Sequence, residues 1–326
     1  MLYESPFITI YSIFLAAVIG ACMGSFLNCM GYRIVRGENL NGRSHCDRCG
    51  HVLGMGDLVP VFSYIIHRGR CKYCGEKLSC RHVICELIAA AVMVSILLKF
   101  NISFQALKYA LFACIIMGCA FADLEGYIIP DRYIVSGVCL YLGSLFFEEN
   151  AKDTLIDGLA GGIIVAGFTL IVVLIFEKIK NVEAMGGGDI KLLFVTGLFL
   201  GLGCNVLCLV VACFIGIAMF VVAPAGSEPQ EDGASDELEE SVKPSESRAE
   251  EPKAPAEPAS KAASVGAGGT EESAAADSTD SKDGESADAD STVSEGALPW
   301  GPSIAIAAWV CLLFGDKFVN WYLSLL

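Results

Sequence analysis

Eight stretches of this 326-residue chain are apolar over lengths that suit a bilayer crossing, and that feature bounds every other reading. They run over 7–30, 83–98, 104–122, 133–147, 155–176, 190–203, 206–222 and 300–325. Several are shorter than the roughly 20 residues a helix needs to cross the hydrocarbon core. The division between the sixth and seventh rests on Gly201-Leu-Gly-Cys-Asn205, read as a turn signal. The first stretch is preceded by Glu4 instead of a basic run and shows no small-residue cleavage site, so it reads as a mature helix and not a secretory signal. With 54% apolar residues and a mean hydropathy of +0.56, a soluble domain is disfavoured from the start. The expected fold class is an all-α polytopic membrane protein of about eight transmembrane helices, lying in a lipid bilayer.

Lys and Arg in the short loops set the orientation. The connection after the first helix holds nine of them, from Arg33 to Arg81, which places it in the cytoplasm. Alternation then puts the loops at 122–132 and around Lys178 and Lys180 inside as well, together with a long acidic insertion. The opposite loops, near Asn101 and at 148–153, are short and poor in positive charge.

The net charge of −15 belongs to that insertion alone. Residues 225–299 carry twenty acidic and five basic side chains, and the rest of the chain carries seventeen of each sign. This balance excludes a basic nucleic-acid binder. The segment has no aromatic residue and is built of Ala, Ser, Glu, Asp, Pro and Gly, so it cannot bury enough apolar surface to offset its ordering entropy. It is expected to be a disordered, solvated loop, with docking through its acid blocks as the alternative.

Most of the fifteen cysteines sit singly in apolar runs, where they act as small hydrophobes. Four do not. Cys46-Asp-Arg-Cys49 and Cys71-Lys-Tyr-Cys74 are two C-x-x-C pairs separated by 21 residues, each followed by a glycine, Gly50 or Gly75. Two such hairpins can present four thiolates tetrahedrally to one structural zinc. Disulfides, disfavoured in a reducing cytoplasm, are one competing reading; a redox dithiol role and a site without metal are the others. His45, His51 and His67 lie nearby, with four thiols already in register. The chain therefore divides into a first transmembrane helix over 1–30, a four-cysteine zinc-binding knuckle over 31–82, a membrane core of about six helices over 83–222, the acidic insertion over 223–299 and a final helix over 300–326.

Ionisable groups at membrane depth are costly and are usually functional. Asp123 ends one apolar segment, and Asp189 opens another in Gly186-Gly187-Gly188-Asp-Ile-Lys191. Both fall on cytoplasmic helix ends, so they can meet at one depth. Two neighbouring carboxyls share a proton, one acting as base on water and the other as acid toward a carbonyl. The three glycines permit an extended substrate to lie against the backbone. The bland alternative is that each Asp marks a helix end, and the rarity of Gly-x-Gly-Asp weighs against it. Lys191 either balances Asp189 or snorkels to the interface. Pro130-Asp131 reads as a helix start.

These residues fall into a known order. Gly24-Ser-Phe-Leu-Asn28 with Tyr32-Arg33, the two C-x-x-C pairs with Leu58-Val-Pro-Val-Phe-Ser-Tyr64 between them, Arg81 and Glu86-Leu87, Asp123 with Ile129-Pro-Asp131, and Gly186-Gly-Gly-Asp-Ile-Lys-Leu192 together resemble the type IV prepilin peptidases, the bifunctional leader peptidase and N-methyltransferase family. The resemblance implies a membrane aspartic protease with Asp123 and Asp189 as its pair, cutting prepilins and pseudopilins after a short basic leader. It further implies methylation of the new N-terminus with S-adenosylmethionine, a function attributed to the N-terminal part. The chain departs from the family in having Val35 where Pro is frequent, Arg81-His-Val83 for Arg-Tyr-Pro, and the acidic insertion.

Gly24, Asn28 and Glu86 are the residues the resemblance attaches to methylation. Read by themselves, Gly24 and Asn28 suit a helix–helix contact. Glu86 could hold the substrate's new ammonium or pair with Arg81. No Gly-rich loop between a strand and a helix appears, so a Rossmann-type cofactor site is not available. Glu125 is a candidate acceptor for the basic leader. The rival readings are a membrane metal sensor or transporter, with the two Asp lining an ion path, and a non-catalytic scaffold for pilus assembly. The oligomeric state has no signature in the sequence.

Overall fold

A computed structural model of the chain describes residues 5–39, 42–46, 48–181, 185–222 and 299–324. The expected disordered insertion lies outside the described residues. Eight α-helices are described: α1 (Pro6–Val35), the short α2 (Phe62–Ile66), α3 (Arg81–Phe100), α4 (Phe104–Gly126), α5 (Asp131–Ser144), α6 (Ala151–Lys180), α7 (Gly187–Val222) and α8 (Gly301–Leu323). No β-strand occurs among these residues, only two isolated bridges in the knuckle.

Six of the helices, α1, α3, α4, α6, α7 and α8, are long and apolar enough to cross a membrane. α5 has 14 residues, about 21 Å at 1.5 Å per residue, and falls below that length. α7 has 36, about 54 Å if straight, far more than the roughly 30 Å of a hydrocarbon core. It is not straight. Gly201 takes φ 72° and ψ 177°, breaking the helix, and only glycine reaches positive φ without strain. Gly203 then lies against Val319 and Gly216 against the Trp300 ring, so the second half of α7 returns toward the end where Asp189 starts. The turn signal read in the sequence thus marks a real reversal.

Side-chain polar groups hold this reversal together. Asp157 of α6 accepts from the Leu202 amide (3.3 Å), replacing the partner that the break at Gly201 removes. Asn205 is fully buried; its amide donates to the Gly161 carbonyl (3.0 Å) and the Leu193 carbonyl (3.2 Å), and its oxygen accepts from Thr196 (3.0 Å). Inside a bilayer such groups have no water to turn to, so complete pairing is required.

Helices in lipid associate through close backbone approach more than through apolar burial. Gly20 and Gly24 of α1 lie directly on Cys85, Ala89 and Ala90 of α3, leaving no room for a Cβ. Gly161 and Gly162 of α6 meet Gly197 and Gly201 of α7 in the same manner. α4 is the buried centre, with Phe112, Ile116 and Cys119 almost fully enclosed and Phe112 stacked on Phe199 of α7 at 4.2 Å. By contrast α1 and α6 expose Phe7, Ile10, Phe14, Phe168 and Ile171, an outer surface suited to lipid.

Candidate active site and metal centre

The knuckle is built locally. In each half a cysteine amide donates across a tight loop, Cys46 to the His51 carbonyl (3.0 Å) and Cys71 to the Glu76 carbonyl (2.8 Å). The loop closes when Gly50 donates to Cys46 (2.8 Å) and Gly75 to Cys71 (2.9 Å), with φ of +66° and +74° at the two glycines. The same turn made twice brings the four Sγ atoms within 4.8 Å of one another, and Cys46 Sγ lies 3.9 Å from Cys74 Sγ. A tetrahedral site with metal–sulfur bonds of ~2.3 Å has sulfurs about 3.8 Å apart. No disulfide joins them. The donor set fits a thiolate-binding metal, and Cys46, Cys49, Cys71 and Cys74 are the residues that would hold it.

The backbone favours thiolate at one ligand. Amides of Cys74 and Tyr73 donating to Cys71 hold its pKa down to about 7. At Cys74 the Glu76 amide acts in the same direction, but desolvation and the neighbouring Cys71, Cys49 and Cys46 side chains push it up to about 12. Four thiols so close cannot all ionise without a cation between them. Asp57 ties the knuckle to its linker, accepting from the Gly54 amide (3.1 Å) and the Tyr73 hydroxyl (3.0 Å).

The carboxyl pair is assembled over long range. Asp123 sits in the last turn of α4 and Asp189 in the first turn of α7, 4% and 7% exposed. They lie within electrostatic reach of each other. Asp123 Oδ2 accepts from the amide of Gly301 (2.8 Å), the first residue of α8. Gly301 is packed so closely on that carboxyl that a Cβ would collide with it. Asp189 Oδ1 is buried and has no hydrogen-bond partner. Two buried acids, one oriented by a helix N-terminus and the other with a free oxygen, can bind and polarise a water.

The glycine run fits around this pair. Gly188 rests on Ile129, and Gly187 has nothing within 4 Å of where a Cβ would stand. Lys191 donates to Asp131 at the start of α5 (2.7 Å), both side chains being exposed. Asp131 does open α5, with Pro130 at its cap.

The remaining candidates lie where α1 meets α3. Gly24 is a packing residue, and the Asn28 amide meets the His82 ring nitrogen (2.7 Å). Glu86 is 6% exposed and accepts from the Val61 amide (2.7 Å), which leaves Arg81 to pair with Glu125 (2.9 Å) instead. Glu125 is therefore engaged within the chain and is not the open acceptor the sequence suggested. Glu86 fixes the backbone of Val61, whose φ of +62° is strained for a β-branched residue, and so couples the knuckle linker to α3. The sequence reading missed Gly301. Its one signal was Gly301-Pro302, a helix start after Trp300.

Two family models match the chain. Residues 18–100 match the bacterial peptidase A24 N-terminal domain, and residues 110–221 match the type IV leader peptidase family. A prepilin leader peptidase/N-methyltransferase of Myxococcus xanthus is 28% identical over 235 residues, which is 70% of this chain and 68% of that one. Proteins of the same name from Bacillus subtilis (29% over 185 residues, 56% and 72%) and Neisseria gonorrhoeae (24% over 239 residues, 65% and 82%) are also similar. No solved structure matches significantly. The two matched domains take in the cysteine knuckle and both aspartates in the expected order, and the chain belongs to the type IV prepilin peptidase family.

Proposed function

We propose that this protein is a multi-pass membrane aspartic endopeptidase that removes the leader of type IV prepilins and pseudopilins and N-methylates the residue so exposed. The observation that carries the reading is a pair of buried carboxyls, Asp123 and Asp189, within electrostatic reach of each other, with Asp189 Oδ1 unpartnered. The pair holds one proton. The ionised carboxyl takes a proton from water as its oxygen attacks the scissile carbonyl, while the protonated one donates to the carbonyl oxygen. Collapse of the tetrahedral species breaks the C–N bond and passes a proton to the leaving amine, and the pair again holds one proton. No covalent enzyme intermediate forms. Gly301 orients Asp123 through the reaction, and the open backbone at Gly187 is the ledge for the extended substrate.

Zinc in the four-thiolate site would be structural, since all four positions are taken by protein ligands. S-adenosylmethionine, when bound, would supply the electrophilic methyl that the neutral N-terminal amine takes up with loss of a proton. With the nine basic residues of 31–82 facing the cytoplasm, the carboxyl pair opens on that side. The reversal at Gly201 then counts α7 as two crossings and α5 as a short one, eight in all.

The test is mass spectrometry of a prepilin co-expressed with the protein and with its Asp123→Asn and Asp189→Asn variants. Loss of the leader with the intact pair only, plus one added methyl, is expected. Full processing by both variants would overturn the assignment.

A further inference from the structure

The short helix between the two cysteine pairs carries an apolar face that nothing in the chain covers. Phe62, Ile65 and Ile66 stand at i, i+3 and i+4 of α2 and are 63%, 64% and 71% exposed. Leu58 and Val59, just before the helix, are exposed as well. The other side of α2 is fastened down. The Tyr64 hydroxyl meets Cys80 Sγ (3.0 Å), and its ring fills the space beside Gly69. The Gly69 amide donates to the Tyr64 carbonyl (2.9 Å), which ties the helix to the second C-x-x-C hairpin. Five large apolar side chains are rarely left together in water, and such a patch marks a protein or membrane contact.

The position of α2 decides between the two. Glu86 of α3 accepts from the Val61 amide (2.7 Å), which fixes the start of α2 beside the second turn of α3. Glu86 lies five residues into a helix long and apolar enough to cross a membrane, about 7.5 Å along its axis. At that level α3 already exposes Ile84, Leu87 and Ile88, side chains suited to lipid. α2 is therefore held at the edge of the bilayer and not out in the aqueous phase. The neighbouring charges complete the pattern. Residues 67–77 carry Arg68, Arg70, Lys72 and Lys77, all exposed, against the single acid Glu76, which lies 3.8 Å from Arg48. Asp57 is engaged by the Gly54 amide and the Tyr73 hydroxyl, with Lys72 at 3.9 Å.

We propose that the strip 58–66 is an interfacial anchor that seats the cysteine knuckle on an anionic lipid surface. Phe62, Ile65 and Ile66 enter the acyl boundary, and Arg68 and Arg70 reach the headgroup phosphates. The inference needs only the membrane crossing of α3 and stands apart from the peptidase reading. Other occupants fit less well. A soluble partner would have to reach α2 through the headgroup layer at which Glu86 holds it. A second copy of the chain would bring two basic 67–77 segments together. A prepilin's apolar helix would suit the strip, but its basic leader would meet the same four cations. With Glu86 as tether and the strip as anchor, the four-cysteine site is held against the membrane at two points.

The test uses full-length protein in phosphatidylglycerol nanodiscs that contain a lipid with a diazirine near the top of its acyl chain. After irradiation, adducts are mapped by proteolysis and mass spectrometry, with residues 84–88 of α3 as the internal reference. Adducts within 58–66 are expected, at a yield within about threefold of that reference. A strip without adducts beside a labelled 84–88 would overturn the proposal. The double variant Ile65→Gln with Ile66→Gln should lose at least tenfold of the strip's labelling, and Ile65→Leu with Ile66→Leu should keep it. Unchanged zinc content and unfolding temperature show that the knuckle is still folded; if the Gln pair fails that check, Ile66→Ser alone is held to the same threshold. Undiminished labelling in the folded polar variant would overturn the anchor. Exchanging phosphatidylglycerol for phosphatidylcholine should lower the strip's yield at least threefold, and equal yields would overturn the assignment of Arg68 and Arg70. Labelling abolished by excess prepilin would give the strip to the substrate and overturn the lipid proposal.

Discussion

The knuckle and the carboxyl pair solve the same problem, gathering like-charged groups at one point, by opposite routes. The knuckle uses 29 consecutive positions, with two copies of one glycine-closed turn and backbone amides supplying the first counter-polarity. The carboxyl pair draws on α4, α7 and α8, and the amide that orients Asp123, that of Gly301, stands 178 positions away along the chain. A local device should therefore fail locally, and a tertiary one should fail through any helix that reaches it.

The hardest break of that comparison is Asp123→Asn or Asp189→Asn. Losing a positioned acid or base costs roughly 10²–10⁴ in rate, and a shared-proton pair loses both functions together, so leader cleavage should fall by at least about a thousandfold. Zinc content, read by metal analysis of the purified variant, should stay at the wild-type level. The converse break is Cys71→Ser, which removes a buried ligand and should weaken zinc binding by more than about a hundredfold. Cleavage should suffer less than in the Asp variants, because no helix of the carboxyl site passes through the knuckle. A Cys71→Ser protein as inactive as Asp189→Asn would erase the distinction.

Gly301→Ala sharpens the point. Its Cβ would press on the Asp123 carboxyl, and a displacement of about 1 Å at a reacting group can cost ~10²-fold. We expect kcat to fall by about 10- to 100-fold with KM and zinc content little changed, measured on a detergent-solubilised prepilin. An unaltered kcat would mean that the α8 amide does not orient the pair.

The same contrast explains what could be read in advance. The four-cysteine cluster was legible because C-x-x-C-Gly is complete within five residues and repeats. The two aspartates were legible because charge at a helix end in an apolar run is rare. Gly301 was not, since its function depends on where α8 docks after a long insertion. Nor was the engagement of Glu125: with Glu86 drawn to Val61, Arg81 turns to Glu125, and no spacing rule encodes that exchange. The helix count was partly legible. Gly201 announced a turn, but the 14-residue α5 has the composition of a crossing without its length.

The gentlest test falls on Asp57, the link between the knuckle and its linker. The Gly54 amide first, and then the Tyr73 hydroxyl, hold its carboxyl below the usual carboxylate range. A depressed folded-state pKa means that the unfolded chain binds the proton more readily, so the tie contributes fully above the unfolded value near ~4 and is lost as pH falls through the lower folded value. Asp57→Ala should thus weaken zinc binding by no more than about tenfold, the lower edge of what outer partners of metal ligands contribute. The ratio of wild-type to variant affinity, measured by competition with a chromophoric chelator, should hold constant from pH 7 to about 5. A ratio that collapses between pH 7 and 6 would place the sensitivity on an imidazole, with His67 standing 3.7 Å from Asp57, and the local tie would then be an ion pair and not a hydrogen-bonded turn.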